Sequence, residues 1–256
     1  TEQGIREGVR QALLPLWNSY YFFALYANAS SYTASPSMAS TQLLDRYILA
    51  KTRELIDSVA LDLDIFDSFA ASATVRDFAE VLTNWYIRRS RDRFWEGDKD
   101  AFDTLYTVLE AAFRVIAPML PLVAEEMWRG LTNGRSVHLE SWPEAEEFLQ
   151  DAQLVRDMDA IREAASSGLS LRKSSGIRVR QPLAKITLAV VGSETLRDYA
   201  ELLADELNVK SVDIVESNSE TSSRFGLRQS LSVNARAPAP RVADAVHRRI
   251  AQAKTA

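Results

Sequence analysis

Apolar residues recur every three or four positions through most of the first 170 residues of this 256-residue chain, and the spacing collapses to alternation near Ile186. That change of period constrains the fold more than any other feature. A 3.6-residue repeat gathers apolar side chains on one helix face, and a two-residue repeat gathers them on one strand face. Phe78, Leu82, Trp85 and Arg89 mark one helical row; Phe102, Leu105, Leu109, Ala112, Phe113 and Ile116 mark another; Leu154, Met158, Ile161 and Ala165 mark a third. Ile186-Thr187-Leu188-Ala189-Val190-Val191 has the composition of a strand. The expected architecture is mainly α: an antiparallel helical bundle over 1–145, a linking helix over 146–175, and a small α+β domain over 176–256.

Punctuation refines the elements. Residues 5–29 read as an aromatic-rich helix, with Trp17, Tyr20, Tyr21, Phe22, Phe23 and Tyr26 expected in the core and Pro15 expected to kink or break it. Ser30–Ser40 reads as a loop, and Thr41 as the cap of a helix ending near Leu61. A further helix runs from about Asp67 to Trp95 and exits at Glu96-Gly97-Asp98; Pro118 and Pro121 interrupt the one after it. Val137–Trp142 reads as short and extended. The linking helix spans about 147 to 170, its end weakened by Ser166-Ser167-Gly168. Beyond Ile186, a helix is expected over Thr195–Leu207, strands over Val209–Val215 and Leu227–Val233, and a last helix over Arg241–Ala251.

Composition excludes several classes of function. With no cysteine there is no disulfide, thiolate metal site or cysteine nucleophile. No apolar run approaches the roughly 20 residues that span a bilayer, and the N-terminus lacks signal-peptide order, so a cytoplasmic location is expected. The aspartates Asp57, Asp62, Asp64 and Asp67 have no calcium-loop spacing and read as a solvated helix end. His138 reads as a structural, hydrogen-bonded residue. No phosphate-cradling glycine loop and no nucleophile–base arrangement occur, so no residue is assigned to catalysis or to a metal. The net charge of -5 is uneven: residues 1–150 hold 14 Lys+Arg against 22 Asp+Glu, whereas residues 151–256 hold 16 against 13. A polyanionic partner is therefore met by local basic patches.

The sharpest patch is Asn84-Trp85-Tyr86-Ile87-Arg88-Arg89-Ser90-Arg91-Asp92-Arg93-Phe94-Trp95, with four arginines, one acid and four aromatics. Arg88 and Arg91 fall on one helix face with Trp95 following; Arg89 and Arg93 lie on the neighbouring row. Two readings compete: a solvated basic rim at a helix end, or guanidinium groups that grip phosphates beside aromatic planes that stack on unpaired bases. Arg89, in line with Trp85, is expected to face the packed side and pair with an acid. Trp85 is expected in the core and Trp95 as the stacking residue. A second cluster of Arg172, Lys173, Arg178, Arg180 and Lys185 carries five positive charges and no acid across fourteen residues. Ser174-Ser175-Gly176 reads as a mobile loop at its centre, and Gln181 adds an amide able to reach bases or phosphates. Its plain alternative is an ordinary basic loop.

The stretch from Asn84 to Trp95 resembles the helix of the anticodon-binding domain of isoleucyl-tRNA synthetases. Other segments resemble the same family in the same order: Leu14-Pro15-Leu16-Trp17-Asn18, Leu44-Asp45-Arg46-Tyr47-Ile48-Leu49, Pro118-Met119-Leu120-Pro121 with Glu125-Glu126-Met127-Trp128, Arg178-Val179-Arg180-Gln181-Pro182-Leu183 and Leu207-Asn208-Val209-Lys210. Lacking cysteine, the chain resembles the branch without the terminal zinc module. Near the end Asn234-Ala235-Arg236 and Pro240-Arg241 fit the family, but Ala239, Ala243 and Asp244 depart from its glycines and following lysine, which puts RNA contact by the last helix in doubt.

The resemblance implies the tRNA-reading portion of an isoleucine-tRNA ligase. The His-x-Gly-His and Lys-Met-Ser-Lys-Ser elements of the catalytic domain are absent, so ATP and Mg belong to that absent domain and this chain holds no cofactor. The implied partners are isoleucine-specific tRNA and the enzyme's own catalytic domain, with no DNA and no membrane. The implied RNA-binding set is Arg88, Arg89, Arg91, Arg93, Trp95, Arg172, Lys173, Arg178, Arg180 and Gln181. The alternatives are a free-standing helical interaction module that binds RNA or protein, and the same region of a valyl or leucyl relative.

Overall fold

The computed structural model describes residues 2–190 and 193–217. Two compact units divide the chain, Thr1–Gln181 and Pro182–Ala256. The first is the helical one. Its elements are α1 (Glu2–Gly8), a π turn over Val9–Leu13, α2 (Leu14–Ser30), α3 (Leu43–Asp64) and α4 (Ser68–Glu80). A second π segment, Val81–Ile87, leads into α5 (Arg88–Glu96), followed by α6 (Lys99–Ile116), α7 (Pro121–Thr132) and α8 (Ala152–Ser174). Turns of two or three residues join α3 to α4 and α5 to α6, which folds them back as antiparallel neighbours.

Helix α6 is the axis of this bundle. Its Phe102, Leu105, Leu109, Ala112, Phe113 and Ile116 are all buried, as their spacing predicts, and so are Thr104, Thr107 and Val108 on other faces. Helices α2, α3, α5 and α7 surround it. Gly130 lets α7 approach α2 closely: a Cβ there would run into the Tyr20 hydroxyl, so the tyrosine would have to move. The loop after α2 is tied to α6 by the Asp103 carboxylate, which accepts from the Tyr32 hydroxyl at 3.0 Å and the Ser35 amide at 2.9 Å.

Several local expectations are corrected. Thr41 does not cap α3; the N-cap is Gln42 without a side-chain bond, and Ser40 Oγ accepts from the Gln42 amide instead. Pro15 does not break the first helix, because its missing N–H falls in the first turn after the π segment, where the ladder is already widened. The aromatics of α2 are not all core: Phe23 is buried, but Trp17 and Tyr21 are exposed. Val137–Leu139 closes a 3-10 turn rather than an extended segment. His138 Nε2 sits 3.2 Å from the Pro121 carbonyl, a structural contact.

Helix α8 starts at Ala152 under an Asp151 cap and runs through Ser166-Ser167-Gly168 to Ser174. Leu154, Met158, Ile161 and Ala165 are buried along it, and the packing of this face against α3 overrides the weak propensity of the small residues.

In the second unit, β1 (Ile186–Val190) pairs in parallel with β2 (Val212–Glu216), Ile186 opposite Val212. The crossover carries α9 (Ser193–Leu196), a 3-10 turn and α10 (Ala200–Leu207), so the helix expected over Thr195–Leu207 is broken at Arg197–Tyr199. Leu196, Leu203, Leu207 and Ile214 form its small core. Asn208 takes a left-handed conformation that ends α10, and the second strand begins at Val212 rather than Val209. The elements expected over Leu227–Val233 and Arg241–Ala251, and the departures at Ala239, Ala243 and Asp244, lie outside the described residues.

Candidate nucleic-acid interface

The helix that carries the basic stretch is continuous from Ser68 to Glu96, but its middle is π-helical. A π turn takes in more residues than an α turn. That re-phasing lets Phe78, Leu82, Tyr86, Ser90 and Phe94, four apart throughout, all be buried. A uniform 3.6-residue helix would have rotated the last of them out of the core. A second buried row, Tyr86, Ser90 and Phe94, therefore runs beside the Trp85–Arg89 row that simple spacing predicts.

The consequence falls on the arginines. Arg93, not only Arg89, is drawn inward. Its Nη1 and Nη2 donate to the two oxygens of Asp45 at 2.7 and 2.8 Å, and its Nε donates to Asp98 at 2.8 Å. Asp45 is fully buried and also accepts from the Tyr86 hydroxyl at 2.9 Å and from Ser40 Oγ at 2.6 Å. Burial works against the Arg93 charge, but its hydrogen bonds to the two aspartates outweigh that and hold it protonated. Burial first, and Asp45 second, push the Tyr86 hydroxyl well above its ordinary range. Arg93 is thus a tie between α3, α5 and the start of α6, where Asp98 caps through the Asp100 amide.

The outward face keeps the other groups. Arg88, Arg91 and Trp95, at helical spacing, are all exposed, Trp95 at 80%. Arg88 Nε donates to the Asn84 carbonyl at 2.7 Å. Arg91 lies 6.0 Å from the Phe22 ring centroid, and the Arg89 guanidinium lies 5.3 Å over the buried Trp85 ring. Trp95 meets Tyr26 edge-on at 6.5 Å, and Tyr26 rests on Phe22 at 4.6 Å. This end of the bundle is therefore an aromatic ledge with cations on it. Tyr26 and Phe22, from α2, belong to that ledge. Their part in it was hidden because they lie some 70 residues away in sequence and the reading of α2 as core masked them.

The second cluster divides the same way. Arg172 is only 5% exposed, and its Nη2 donates to the carbonyls of Arg178, at 2.9 Å, Val179, at 3.2 Å, and Gln181. Gly176, with φ of 70°, turns the chain so that it folds back over Arg172. Lys173, Arg178, Arg180 and Gln181 stay exposed on the loop so formed. Lys185, beyond it, is ion-paired to Asp213. Among the described residues no group of three or more His, Asp or Glu side chains is placed to hold a metal, and no helix is long and apolar enough to cross a membrane.

The family model described as the anticodon-binding domain of tRNA ligase matches residues 45–188, from the buried Asp45 to β1. The chain belongs to this anticodon-binding domain family. Curated relatives agree along its whole length. It is 54% identical to the isoleucine–tRNA ligase of Leifsonia xyli, covering 100% of this chain and 23% of that protein. It is 49% identical to that of Nocardia farcinica, covering 99% and 24%. A leucyl enzyme of Agrobacterium radiobacter, solved with tRNA, overlaps 60% of this chain and 17% of its own at 21% identity and a TM-score of 0.42, too slight an overlap to add to the assignment. The chain thus spans about a quarter of the length of the curated relatives it matches. The family match does not favour a free-standing module, and the isoleucine–tRNA ligase relatives do not favour a valyl or leucyl origin.

Proposed function

We propose that this chain is the anticodon-reading portion of a cytoplasmic isoleucine-tRNA ligase, and that isoleucine-specific tRNA is its ligand. The observation that carries the reading is the row of Arg88, Arg91 and Trp95, which lies within the family-matched span and is exposed on the ledge of Tyr26 and Phe22. Arg88 and Arg91 neutralise backbone phosphates, with Arg89 as a second line held against Trp85. Trp95 stacks on a splayed base, which in single-stranded recognition is worth about 1–3 kcal/mol. Lys173, Arg178, Arg180 and Gln181 form a second backbone contact on a loop that Arg172 shapes from beneath. Arg93 serves by holding α5 in place and does not itself reach the RNA.

In this reading the bundle over 1–145 docks on the anticodon stem-loop, the helix over 146–175 links it to the unit over 176–256, and adenylate formation with ATP and Mg belongs to the catalytic domain of the parent enzyme.

The test is binding of the purified 256-residue chain to isoleucine tRNA and to a non-cognate tRNA at one stated salt concentration. Tighter binding of the isoleucine tRNA is expected, and it should weaken when Trp95 becomes alanine. Equal binding of both tRNAs sinks the specificity, and no binding of either sinks the RNA role of the isolated chain.

A further inference from the structure

The end of the bundle away from the ledge carries a second, chemically different surface. Asp45 lies beside Arg93, and Leu61 follows it 16 residues later along α3, about 24 Å at 1.5 Å per residue. There the chain exposes Leu61, Ile65, Phe66 and Phe69, at 67%, 72%, 92% and 79%. Phe69, Ser72 and Arg76 share one face of α4, and Ser72 and Arg76 border an apolar groove of about 320 Å³ walled by Ile5, Val9, Leu13, Val75, Ile116 and Leu120. The groove therefore borders the same face of α4 that carries Phe69 of the knob.

Phe66 stands where a small residue belongs. Helix α3 ends with the Asp67 amide donating to the Asp62 carbonyl at 2.8 Å and the Phe66 amide donating to the Leu63 carbonyl at 3.0 Å. That double closure puts the residue between in the left-handed region, usually a glycine. Helices α2, α5 and α8 close with the same pair of bonds around Ser31, Gly97 and Gly176. Among the described residues, only at α3 does a bulky aromatic take the position, with φ of 61°. Such a residue is strained there, and a nearly bare ring makes little contact within the chain to offset the cost.

We infer that Ile65, Phe66 and Phe69, with the groove beside them, dock the remaining body of the full-length ligase. This rests on the reading of the chain as part of an isoleucine-tRNA ligase, whose relatives have about three quarters of their length outside this span. Charge selects the occupant. Asp62, Asp64 and Asp67 ring the knob and repel the phosphates of RNA, whereas a protein surface with apolar sockets rimmed by lysine or arginine suits both the ring and the knob. The bundle then has two working ends, a cationic aromatic one for tRNA and an acidic apolar one for protein.

Hydroxyl-radical footprinting of the 256-residue chain and of a full-length ligase carrying this span tests the inference, with buried Phe102 and Phe113 as internal standards. Phe66 and Phe69 should oxidise readily in the short chain and fall to the level of the standards in the full-length enzyme, with or without tRNA. Equal oxidation in both proteins overturns the docking. Protection that appears only with tRNA overturns it in favour of RNA, and protection of the short chain that grows with its concentration overturns it in favour of a second copy. Trp95 reports separately: if tRNA fails to protect it while Phe66 is buried in the full-length enzyme, the RNA reading of the ledge fails and the docking stands.

Discussion

Arg93 clasps Asp45 through two parallel hydrogen bonds of 2.7 and 2.8 Å, and the carboxylate it holds has no exposed surface. This pair joins the helix that begins the family match to the helix that bears the basic ledge. It also separates the arginines of one short stretch: Arg93 builds the bundle, Arg89 lies half-buried over Trp85, and Arg88 and Arg91 face outward.

Arg93→Ala should therefore act on stability. Removing one partner of a buried pair leaves an uncompensated charge, which costs about 3–5 kcal/mol. The low end applies here, because the Arg93 side chain is 22% exposed and Tyr86 and Ser40 still donate to Asp45. Urea unfolding should register the loss, and Arg93→Lys should recover only part of it, since an ammonium cannot make the paired bonds. An unchanged midpoint would show that the clasp contributes nothing.

Acid should release the same tie. Partial burial raises the Asp98 carboxyl, but the Arg93 hydrogen bond and charge and the Ala101 and Asp100 amides outweigh it, so Asp98 titrates below its ordinary 3.8. A depressed carboxylate contributes stability that is present above the unfolded value and is lost as pH falls through the folded one. The chain should hold this contribution at neutral pH and lose it below about pH 4. Asp98→Asn should be less stable than the parent at pH 7, with the gap narrowing on acidification; parallel pH profiles of the two proteins would refute this.

Arg88→Ala and Arg91→Ala should act on binding and not on folding. Each phosphate contact removed should lower the slope of log affinity against log salt by about 0.7–0.9. Both side chains are exposed, so stability should change by no more than about 0.5 kcal/mol. A double variant that binds isoleucine tRNA with an unaltered slope would identify the row as a solvated rim.

Phe66→Gly should stabilise the isolated chain. Glycine adopts the left-handed conformation without the steric cost of a side chain, roughly 1 kcal/mol, and little packing is lost with a ring that is 92% exposed. Thermal unfolding of the two proteins checks it. A lower melting temperature for the glycine variant would mean that the ring makes a stabilising contact within the chain.

Local chemistry made much of this protein legible from its sequence. The buried rows of α6 and α8, the turn at Gly97, the break between Ile116 and Pro121 and the change of period at Ile186 all depend on neighbours within a few residues, where periodicity and propensity act directly. The basic stretch was visible as a stretch for the same reason, as was the burial of Trp85 against the exposure of Trp95. Tertiary structure decided what each side chain in it does. The wider π turn re-phased the helix, so Arg93 met Asp45, 48 positions earlier, and Arg89 came to lie over Trp85. Tyr26 and Phe22 joined the ledge only because α2 crosses α5, and Phe66 became an exposed, strained knob only because the closure of α3 placed it in the left-handed region. Spacing along a chain assigns a residue to a face, but the partner on that face comes from another helix, and one extra residue in a turn is enough to change it.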